Sequence, residues 1–227
     1  MYIDELSSPG FEQTACRKIK KIKPQARKRG RPFGSSASIT RERLIKAAEA
    51  QFNAMSFAEV TMERVAKTAG ITAAAIYNHF GSKDELFLET VKNRIRIYNQ
   101  TMNSAVAGPG SWKDKFNTLL EAVTPLQGNS SGFPMIGSVV INRLQQEPEK
   151  FQEIRDLRDE SAKVFRALVA EAIDCGDFPA NTDIVIAGDL LMAITSSATN
   201  TVSFYHPSLD DMMPIIDSVK VLLGTTD

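Results

Sequence analysis

The feature that most constrains this 227-residue chain is a pair of short helix patterns separated by one glycine, within residues 60–86. Apolar residues recur at helical spacing after Thr61, a residue type that is favoured as an N-cap. Gly70 interrupts this pattern, and glycine accepts the left-handed conformation that a sharp turn between helices requires. Thr72 is placed to cap a second short helix, which Gly81 is expected to end. The layout predicts a helix-turn-helix.

A further helix is predicted to begin directly after this unit. The motif SKDE at residues 82–85 has the pattern of a capping box, in which the first and fourth residues exchange hydrogen bonds between side chain and main chain. In the second short helix, Ile76 and Phe80 fall on one face, and Ala73 and Tyr77 fall on another. We therefore expect Ile76 and Phe80 to fill the inward face and Tyr77 to point away from the core.

The net charge is zero, but the charges are unevenly distributed. Residues 1–100 carry 18 Lys and Arg against 10 Asp and Glu, a net +8, and residues 101–227 carry 9 against 17, a net −8. Only the basic front half is expected to contact a polyanion. The chain has no apolar run long enough for a membrane span and no CxxC pair, so we expect a cytoplasmic protein without a membrane partner.

Residues 1–37 are predicted to form a disordered basic arm. Residues 17–31 contain nine Lys or Arg and no acidic residue, together with helix-breaking proline and glycine. The tetrapeptide RGRP, which contains Arg29 and Arg31, is similar to the core of an AT-hook, whose arginines enter a narrow A·T-rich minor groove. A solvated tail or a cloning remnant is the alternative.

The remaining chain has helix-period apolar patterns and no strand-period pattern. Helices are predicted at residues 40–54, 83–105, 111–123, 135–146, 148–175, 183–204 and 211–223. Thr40 is expected to cap the first of these helices. Asp211 is expected to cap the last, because the proline at position 214 is tolerated only in a first turn. Pro125 is expected to end the helix that starts at residue 111. With the two short helices, the prediction is an all-α chain of nine helices.

Several segments together resemble the DNA-binding domain of the TetR family of bacterial transcriptional regulators. The matching segments, between about residues 43 and 86, are LIKAAEAQF, VTMERVAKTAGIT, AAAIYNHF and GSKDEL. The resemblance implies a helix-turn-helix domain at residues 38–86. It also implies a helical ligand-binding and dimerisation domain at residues 87–227.

Two positions depart from the family pattern. Ser56 stands where the family usually has glycine, so the turn after the first helix is expected to be reshaped. The recognition helix begins with three alanines, at residues 73–75, where relatives often carry a polar or basic residue. An alanine contacts a base only through a thymine methyl. Specificity is therefore expected to depend on the arm and on DNA shape.

Residue chemistry and the resemblance together predict the DNA contacts. Residues at helix N-termini offer free N–H groups and a hydroxyl to a phosphate. Tyr77 is expected to reach a phosphate through its hydroxyl, and the resemblance implies a phosphate contact for Lys83. His79 is either a contact of this kind or a half-buried ring satisfied by the main chain. The predicted set is Arg29, Arg31, Thr61, Thr72, Ala73, Ala74, Tyr77, Asn78, His79 and Lys83.

The resemblance also implies how the larger domain works. A small molecule binds it and changes the separation of the two DNA-reading heads of a homodimer. The last two helices are predicted to form the dimer, which would read a palindromic operator in double-stranded DNA. The candidate pocket residues are Trp112, Phe116, Met135, Phe165, Met192, Thr195 and Thr199. Residues of these types are more often simple core. The few charges on these helix stripes favour a neutral or weakly polar effector.

The sequence therefore predicts a sequence-specific transcriptional regulator, specifically a repressor released by a small-molecule effector, with no cofactor or metal. One alternative is an architectural protein that binds A·T tracts through its arm. The other is a helical enzyme. His79 and His206 are the two histidines, and neither has a carboxylate or cysteine at metal-ligand spacing. The chain also has no phosphate loop and no nucleophile elbow.

Overall fold

The computed structural model describes residues 35–128, 140, 142, 143, 145–205 and 209–225. The helices with defined bounds are α1 (Ser35–Ala54), α2 (Met62–Thr68), α3 (Ala73–Tyr77), α4 (Lys83–Val106), α5 (Trp112–Gly128), α6 (Gln152–Asp174), α7 (Ile184–Tyr205) and α8 (Leu209–Leu222). Residues 140, 142, 143, 145 and 146 are also helical. The all-α prediction is confirmed, whereas a count of nine helices is not confirmed within the described residues. None of the described helices has the length and apolar composition needed to cross a membrane.

Both predicted caps of the short helices are present. The Thr61 hydroxyl accepts a hydrogen bond from the N–H of Arg64 at 3.3 Å. The Thr72 hydroxyl accepts one from the N–H of Ala75 at 3.2 Å. Gly70 lies between the two helices with a φ of 68°, a conformation that a Cβ would strain. The turn of the helix-turn-helix therefore forms where the sequence predicts it.

The end of α3 and the start of α4 differ slightly from the prediction. The N–H of Asn78 bonds to the carbonyl of Ala75, an i→i−3 bond that closes the last turn, so α3 ends before Gly81. In the SKDE motif, the Ser82 hydroxyl accepts from the N–H of Glu85 at 3.1 Å, as predicted. The Glu85 carboxylate accepts from the N–H of Gly81 at 2.7 Å, one residue before the usual capping-box partner.

Three helix bounds are corrected by the structure. Thr40 does not cap the first helix, because α1 already begins at Ser35, directly after the last glycine of the predicted arm. Pro125 does not end α5, and Asp211 does not cap α8, because each of these helices contains its proline. A proline removes one N–H from the helix and therefore one hydrogen bond, a loss that both helices tolerate.

The buried side chains form two clusters. The first contains the core of α1, α2 and α3 and the first half of α4, and it also includes Phe151 and Ile154 at the start of α6. Each of these two residues is 1% exposed. The second cluster lies between α4, α5, α6, α7 and α8. The core of the helix-turn-helix thus extends past residue 86 and includes part of the predicted ligand-binding and dimerisation domain, which we call the regulatory half.

Helix α6 is fixed against its neighbours on both sides. The buried amide of Asn99 on α4 donates to the Leu157 carbonyl at 2.8 Å and accepts from the Ser161 hydroxyl at 2.5 Å. On the α7 side, a Cβ added to Gly188 would lie 2.9 Å from the main-chain N and Cα of Arg166. Only glycine permits this close approach of α6 and α7. Helix α6 therefore connects the first cluster rigidly to α7.

Candidate nucleic-acid interface

Helix α3 has one buried and one exposed face. Ile76 is 0% exposed and Phe80 is 1% exposed, and both belong to the first cluster. Tyr77 is 50% exposed, so it is not a core aromatic. The exposed face brings together four of the predicted contact residues, Ala73, Ala74, Tyr77 and Asn78. This face is free of core contacts, as a helix that enters a DNA groove must be.

The helix starts around this face also agree with the prediction. Thr61 and Thr72 are exposed, and each hydroxyl accepts a hydrogen bond from its own helix. Since a hydroxyl also carries one proton, each threonine keeps a donor that can meet a phosphate. The unpaired N–H groups in the first turn of a helix also favour a negatively charged group such as a phosphate. Phosphate contacts at these two threonines stay a prediction.

Two arginines of α1, which the sequence reasoning did not include, hold the ends of the short helices. Arg43 donates to the Ala69 carbonyl, at the end of α2, at 2.7 Å. Arg41 donates to the His79 carbonyl at 3.0 Å, and its guanidinium lies 4.4 Å from the centre of the Phe80 ring. Cations are favoured at helix C-termini, where carbonyls lack partners. These contacts span 26 and 38 residues, so no local motif reveals them.

His79 is half-buried in this arrangement. Its main-chain carbonyl accepts the hydrogen bond from Arg41, whereas its imidazole makes no hydrogen bond to the described residues. The alternative role, a half-buried ring satisfied by the main chain, is therefore not found among the described residues. The role of this histidine in DNA binding stays a prediction.

Lys83, the predicted phosphate contact, has its ammonium engaged within the protein. Its Nζ donates to the carbonyls of Phe57 at 2.9 Å and Val60 at 3.0 Å, with Ala58 at 3.4 Å. It also lies 4.5 Å from the centre of the Phe57 ring. The structure thus places this cation on the turn between α1 and α2.

Ser56 lies in that same turn, and the reshaping of the turn relative to the family pattern stays a prediction. Its hydroxyl and its N–H both donate to one carboxylate oxygen of Glu59, at 2.6 and 3.0 Å. The hydrogen bond from the hydroxyl has the larger effect and that from the N–H the next, and together they hold the pKa of Glu59 below its usual value. The Glu59 carboxylate therefore satisfies the N–H of Ser56 as in one half of a capping box, while the N–H of Glu59 bonds to the Ser56 carbonyl and not to its hydroxyl.

Comparison with known proteins identifies the chain. Residues 44–90 match the sequence model of the bacterial regulatory proteins of the tetR family. The transcriptional regulator SrpR of Pseudomonas putida is 24% identical over 160 residues, which is 68% of this chain and 70% of that protein. The helix-turn-helix domain of this chain belongs to the TetR family.

Solved structures of other regulators share this fold. The Bacillus subtilis regulator FadR in complex with stearoyl-CoA matches with a TM-score of 0.68 at 17% identity, over 80% of this chain and 96% of that one. A Saccharomonospora viridis transcriptional regulator in complex with choline matches with a TM-score of 0.68 at 16% identity, over 81% and 96%. The predictions of a DNA-binding transcriptional regulator and of a protein other than an enzyme are confirmed.

In this chain, ion pairs join the helix-turn-helix to the regulatory half. Glu89 on α4 pairs with Arg41 at 3.1 Å and with Lys92 at 3.0 Å. Glu153 in the first turn of α6 pairs with Lys92 and, at 2.6 Å, with Arg96. We call these five residues the ionic joint. Burial disfavours ionised Glu89, but its hydrogen bonds with Lys92 and Arg41 prevail and lower its pKa.

A second connection involves Arg143. Its guanidinium pairs with Asp84 at 2.7 Å and lies 4.3 Å from the centre of the Phe57 ring. Asp84 is in the first turn of α4, and Phe57 is in the turn before α2. The segment that precedes α6 therefore contacts the helix-turn-helix at the place where Lys83 also binds.

The predicted pocket residues are only partly brought together. Trp112, Phe116 and Phe165 are at most 2% exposed and share the second cluster, with Met192 packed against it. The buried Thr195 hydroxyl donates to the Leu191 carbonyl in its own helix. Outside the described residues lie Met135, the side chain of Thr199, and the two predicted arm contacts Arg29 and Arg31.

Two open grooves lie beside this cluster, and none of the predicted pocket residues lines them. The first, of about 450 Å³, lies between α4 and α5 and is lined by Gln100, Thr101, Ser104, Ala105, Thr118 and Ala122. The second, of about 360 Å³, lies between α4 and α6 and carries the charged residues Glu160, Lys163 and Glu171. Across the described residues, no cluster of three metal-binding side chains occurs.

The ionic joint generates a pH prediction. Glu89→Gln removes the charge that Arg41 and Lys92 share, and we expect a loss of roughly 1 kcal/mol of unfolding free energy near pH 7. The folded pKa of Glu89 lies below its unfolded value of about 4.3. Its contribution is therefore complete above that value and disappears as the pH falls through the folded pKa.

Chemical unfolding of the variant and the wild type at a series of pH values measures this effect. The matched control is Glu42→Gln, which removes an exposed carboxylate from α1. A stability difference that stays constant from about pH 7 to about pH 3 would contradict the electrostatic explanation.

Proposed function

We propose that this chain is a cytoplasmic repressor that binds a palindromic operator as a homodimer and leaves it when a small molecule binds. The division of α3 into two faces carries the proposal. Ile76 is 0% exposed, whereas the adjacent Tyr77 is 50% exposed. A helix that is anchored on one face and open on the other can enter the major groove without losing its own core contacts.

The exposed residues of α3 and its surroundings have different proposed roles. Asn78 reads a base, because its amide can form two hydrogen bonds with adenine. Ala73 and Ala74 contribute only methyl contacts to thymine. Tyr77 and the two cap threonines bind phosphates, which fix the position of the helix but carry no sequence information. A single amide gives the recognition helix little hydrogen-bonding capacity for reading the bases.

Two substitutions on α3 separate these roles. Asn78→Ala is expected to relax the preference at one base pair, a loss of roughly 1–3 kcal/mol of discrimination. Tyr77→Phe removes only a hydroxyl and is expected to weaken binding to all sequences alike. Selection of bound duplexes from a randomised pool, followed by titration of single mismatches, measures both effects. Selected duplexes without two-fold symmetry, or an unchanged preference in the Asn78 variant, would reject the proposal.

The predicted arm supplies the rest of the specificity in this proposal. Nine Lys or Arg within residues 17–31 support it, since they precede a reading helix that starts with three alanines. Arg29→Ala combined with Arg31→Ala is expected to abolish a preference for A·T-rich over G·C-rich operator flanks. Binding to the two kinds of operator is the measurement, with Lys163→Ala on α6, which removes one positive charge, as the remote control. If the arm variant keeps the preference for A·T-rich flanks, the arm is a solvated tail and the proposal is wrong.

The proposed dimer uses the last two described helices, α7 and α8. Ile186 and Leu190 on α7 are 67% and 58% exposed, and Val221 and Leu222 on α8 are 63% and 84% exposed. Exposed apolar side chains on two adjacent helices form the kind of surface that a two-fold interface buries. Gly188 supports this arrangement because it seats α7 firmly against α6.

Leu190→Asp is expected to convert the dimer into a monomer, because a carboxylate would be buried in an apolar interface. Ile97→Asp is the matched control, since Ile97 is an exposed apolar residue of α4, 43% exposed, away from α7 and α8. Sedimentation of both variants at micromolar concentration measures the effect. A wild-type chain that sediments as a monomer, or a Leu190 variant that remains dimeric, would exclude this interface.

The proposed effector is a neutral or weakly polar small molecule. The groove between α4 and α5 supports this assignment, because amide and hydroxyl groups line it and charged side chains do not. Among the predicted pocket residues whose side chains the structure describes, the one hydroxyl is that of Thr195, which is buried. A ligand that binds only the folded state raises the melting temperature, so a thermal-shift screen of neutral compounds against charged ones tests the class.

A further inference from the structure

We infer that Asn99 on α4 is a positioning residue, which holds α4 and α6 in one register and thereby fixes where the helix-turn-helix lies relative to α7 and α8. The inference rests on the proposed function and deepens it, since it concerns the separation of the two reading helices in the proposed homodimer. Two hydrogen bonds between buried groups of α4 and α6 carry it.

Asn99 and Ser161 form a buried polar contact between the two helices. Asn99 is 6% exposed and Ser161 is 4% exposed. The Asn99 amide donates to the Leu157 carbonyl at 2.8 Å, and its oxygen accepts from the Ser161 hydroxyl at 2.5 Å. Because residues 157 and 161 are one helical turn apart, both partners lie on the same face of α6. A single side chain of α4 thus donates to this face and accepts from it.

The polar contact lies where one apolar cluster ends and the other begins. On α4, Ile95 belongs to the first cluster and Met102 to the second. On α6, Ile154 belongs to the first and Val164 to the second. Apolar burial has no preferred direction, whereas hydrogen bonds do. The contact of Asn99 therefore distinguishes this register from others that would bury a similar apolar area.

A shift of the two helices by one turn would break this contact. It would place the Asn99 amide opposite residue 165 or residue 157 instead of Ser161, and Phe165 and Leu157 have no hydroxyl. The buried amide oxygen would lose its partner, which lowers the population of a shifted register by roughly 5- to 150-fold. A single buried polar residue fixes the register of coiled coils for the same reason.

The register matters because α4 and α6 are attached to different parts of the protein. The first half of α4 belongs to the core of the helix-turn-helix. Helix α6 is seated against α7 at Gly188, where a side chain would not fit. A shift between α4 and α6 would therefore move the reading helix relative to the proposed dimer surface on α7 and α8. In a dimer, this changes the separation of the two reading helices, which must match the half-site spacing of the operator.

The test compares binding of the full chain to two duplexes. One is the operator selected from the random pool, and the other is the same operator with one base pair inserted at its centre. Asn99→Leu combined with Ser161→Ala replaces the polar contact by apolar groups, and the Leu157 carbonyl keeps its bond within α6. We expect the preference for the selected spacing to fall at least several-fold, because the helices then occupy more than one register.

The matched control is Thr90→Val. Thr90 is also a buried polar residue of α4, 2% exposed, but its hydroxyl donates to the Leu86 carbonyl of its own helix at 2.7 Å. This variant is expected to keep the spacing preference of the wild type. The melting temperature of the double variant is expected to equal or exceed that of the wild type, because exchanging a buried polar pair for apolar groups is often neutral or stabilising.

Three results would overturn the inference. The first is a spacing preference that is the same in the double variant and the wild type. The second is a double variant that melts earlier and loses affinity for both duplexes by the same factor, as a purely structural role requires. The third is a wild type that binds both duplexes alike. If the double variant does not fold, Ser161→Ala decides, since it removes one of the two hydrogen bonds and should reduce the preference in part.

Amide NMR spectra of the free chain separate the inference from the proposed function. The wild type and Thr90→Val are expected to give one sharp resonance for each residue of α4 and α6. The double variant is expected to give broadened or doubled resonances in these helices, and a single sharp set there overturns the inference even if the protein binds DNA. A wild-type chain that selects no duplex refutes the proposed function, while doubled resonances in the double variant still support the role of Asn99.

Discussion

Main-chain carbonyls that lack helical partners determine how the DNA-reading part of this protein is assembled. Helices α2 and α3 have seven and five residues, and helices this short are not stable in isolation. Arg41, Arg43 and Lys83 supply cationic donors to the carbonyls at their ends and at the turn before them. The orientation of the reading face therefore depends on side chains that belong to the longer helices α1 and α4.

The parts of this site that were predictable depend on contacts within a few residues. The caps at Thr61 and Thr72, the left-handed Gly70 and the Ser82 cap of the SKDE motif are all determined by their immediate neighbours, and all occur as predicted. The roles of Arg43 and Lys83 depend on carbonyls 23 to 26 residues away, so their spacing in the chain contains no signal. The two helix-internal prolines were misread for a related reason, since tertiary packing outweighs the loss of one hydrogen bond.

The boundary between the two halves is less sharp than the division at residue 86 predicts. Phe151 and Ile154 of α6 complete the core of the helix-turn-helix, and Glu153 between them neutralises Lys92 and Arg96 of α4. Arg143 adds a contact to the Phe57 ring. These contacts connect α6 to α4 through apolar packing, ion pairing and the support of the α1–α2 turn. Under the proposed function, a shift of α6 against α4 would change all three together.

The position of the single tryptophan has a practical consequence. Trp112 is 2% exposed in the second cluster, where its indole N–H donates to Asp177 at 2.7 Å and its ring lies 5.3 Å from that of Phe178. Indole emission moves to longer wavelength when water reaches the ring, and a nearby carboxylate or aromatic ring alters its intensity. Because no other indole contributes, the intrinsic fluorescence of the unlabelled protein reports on one place, the interior of the regulatory half.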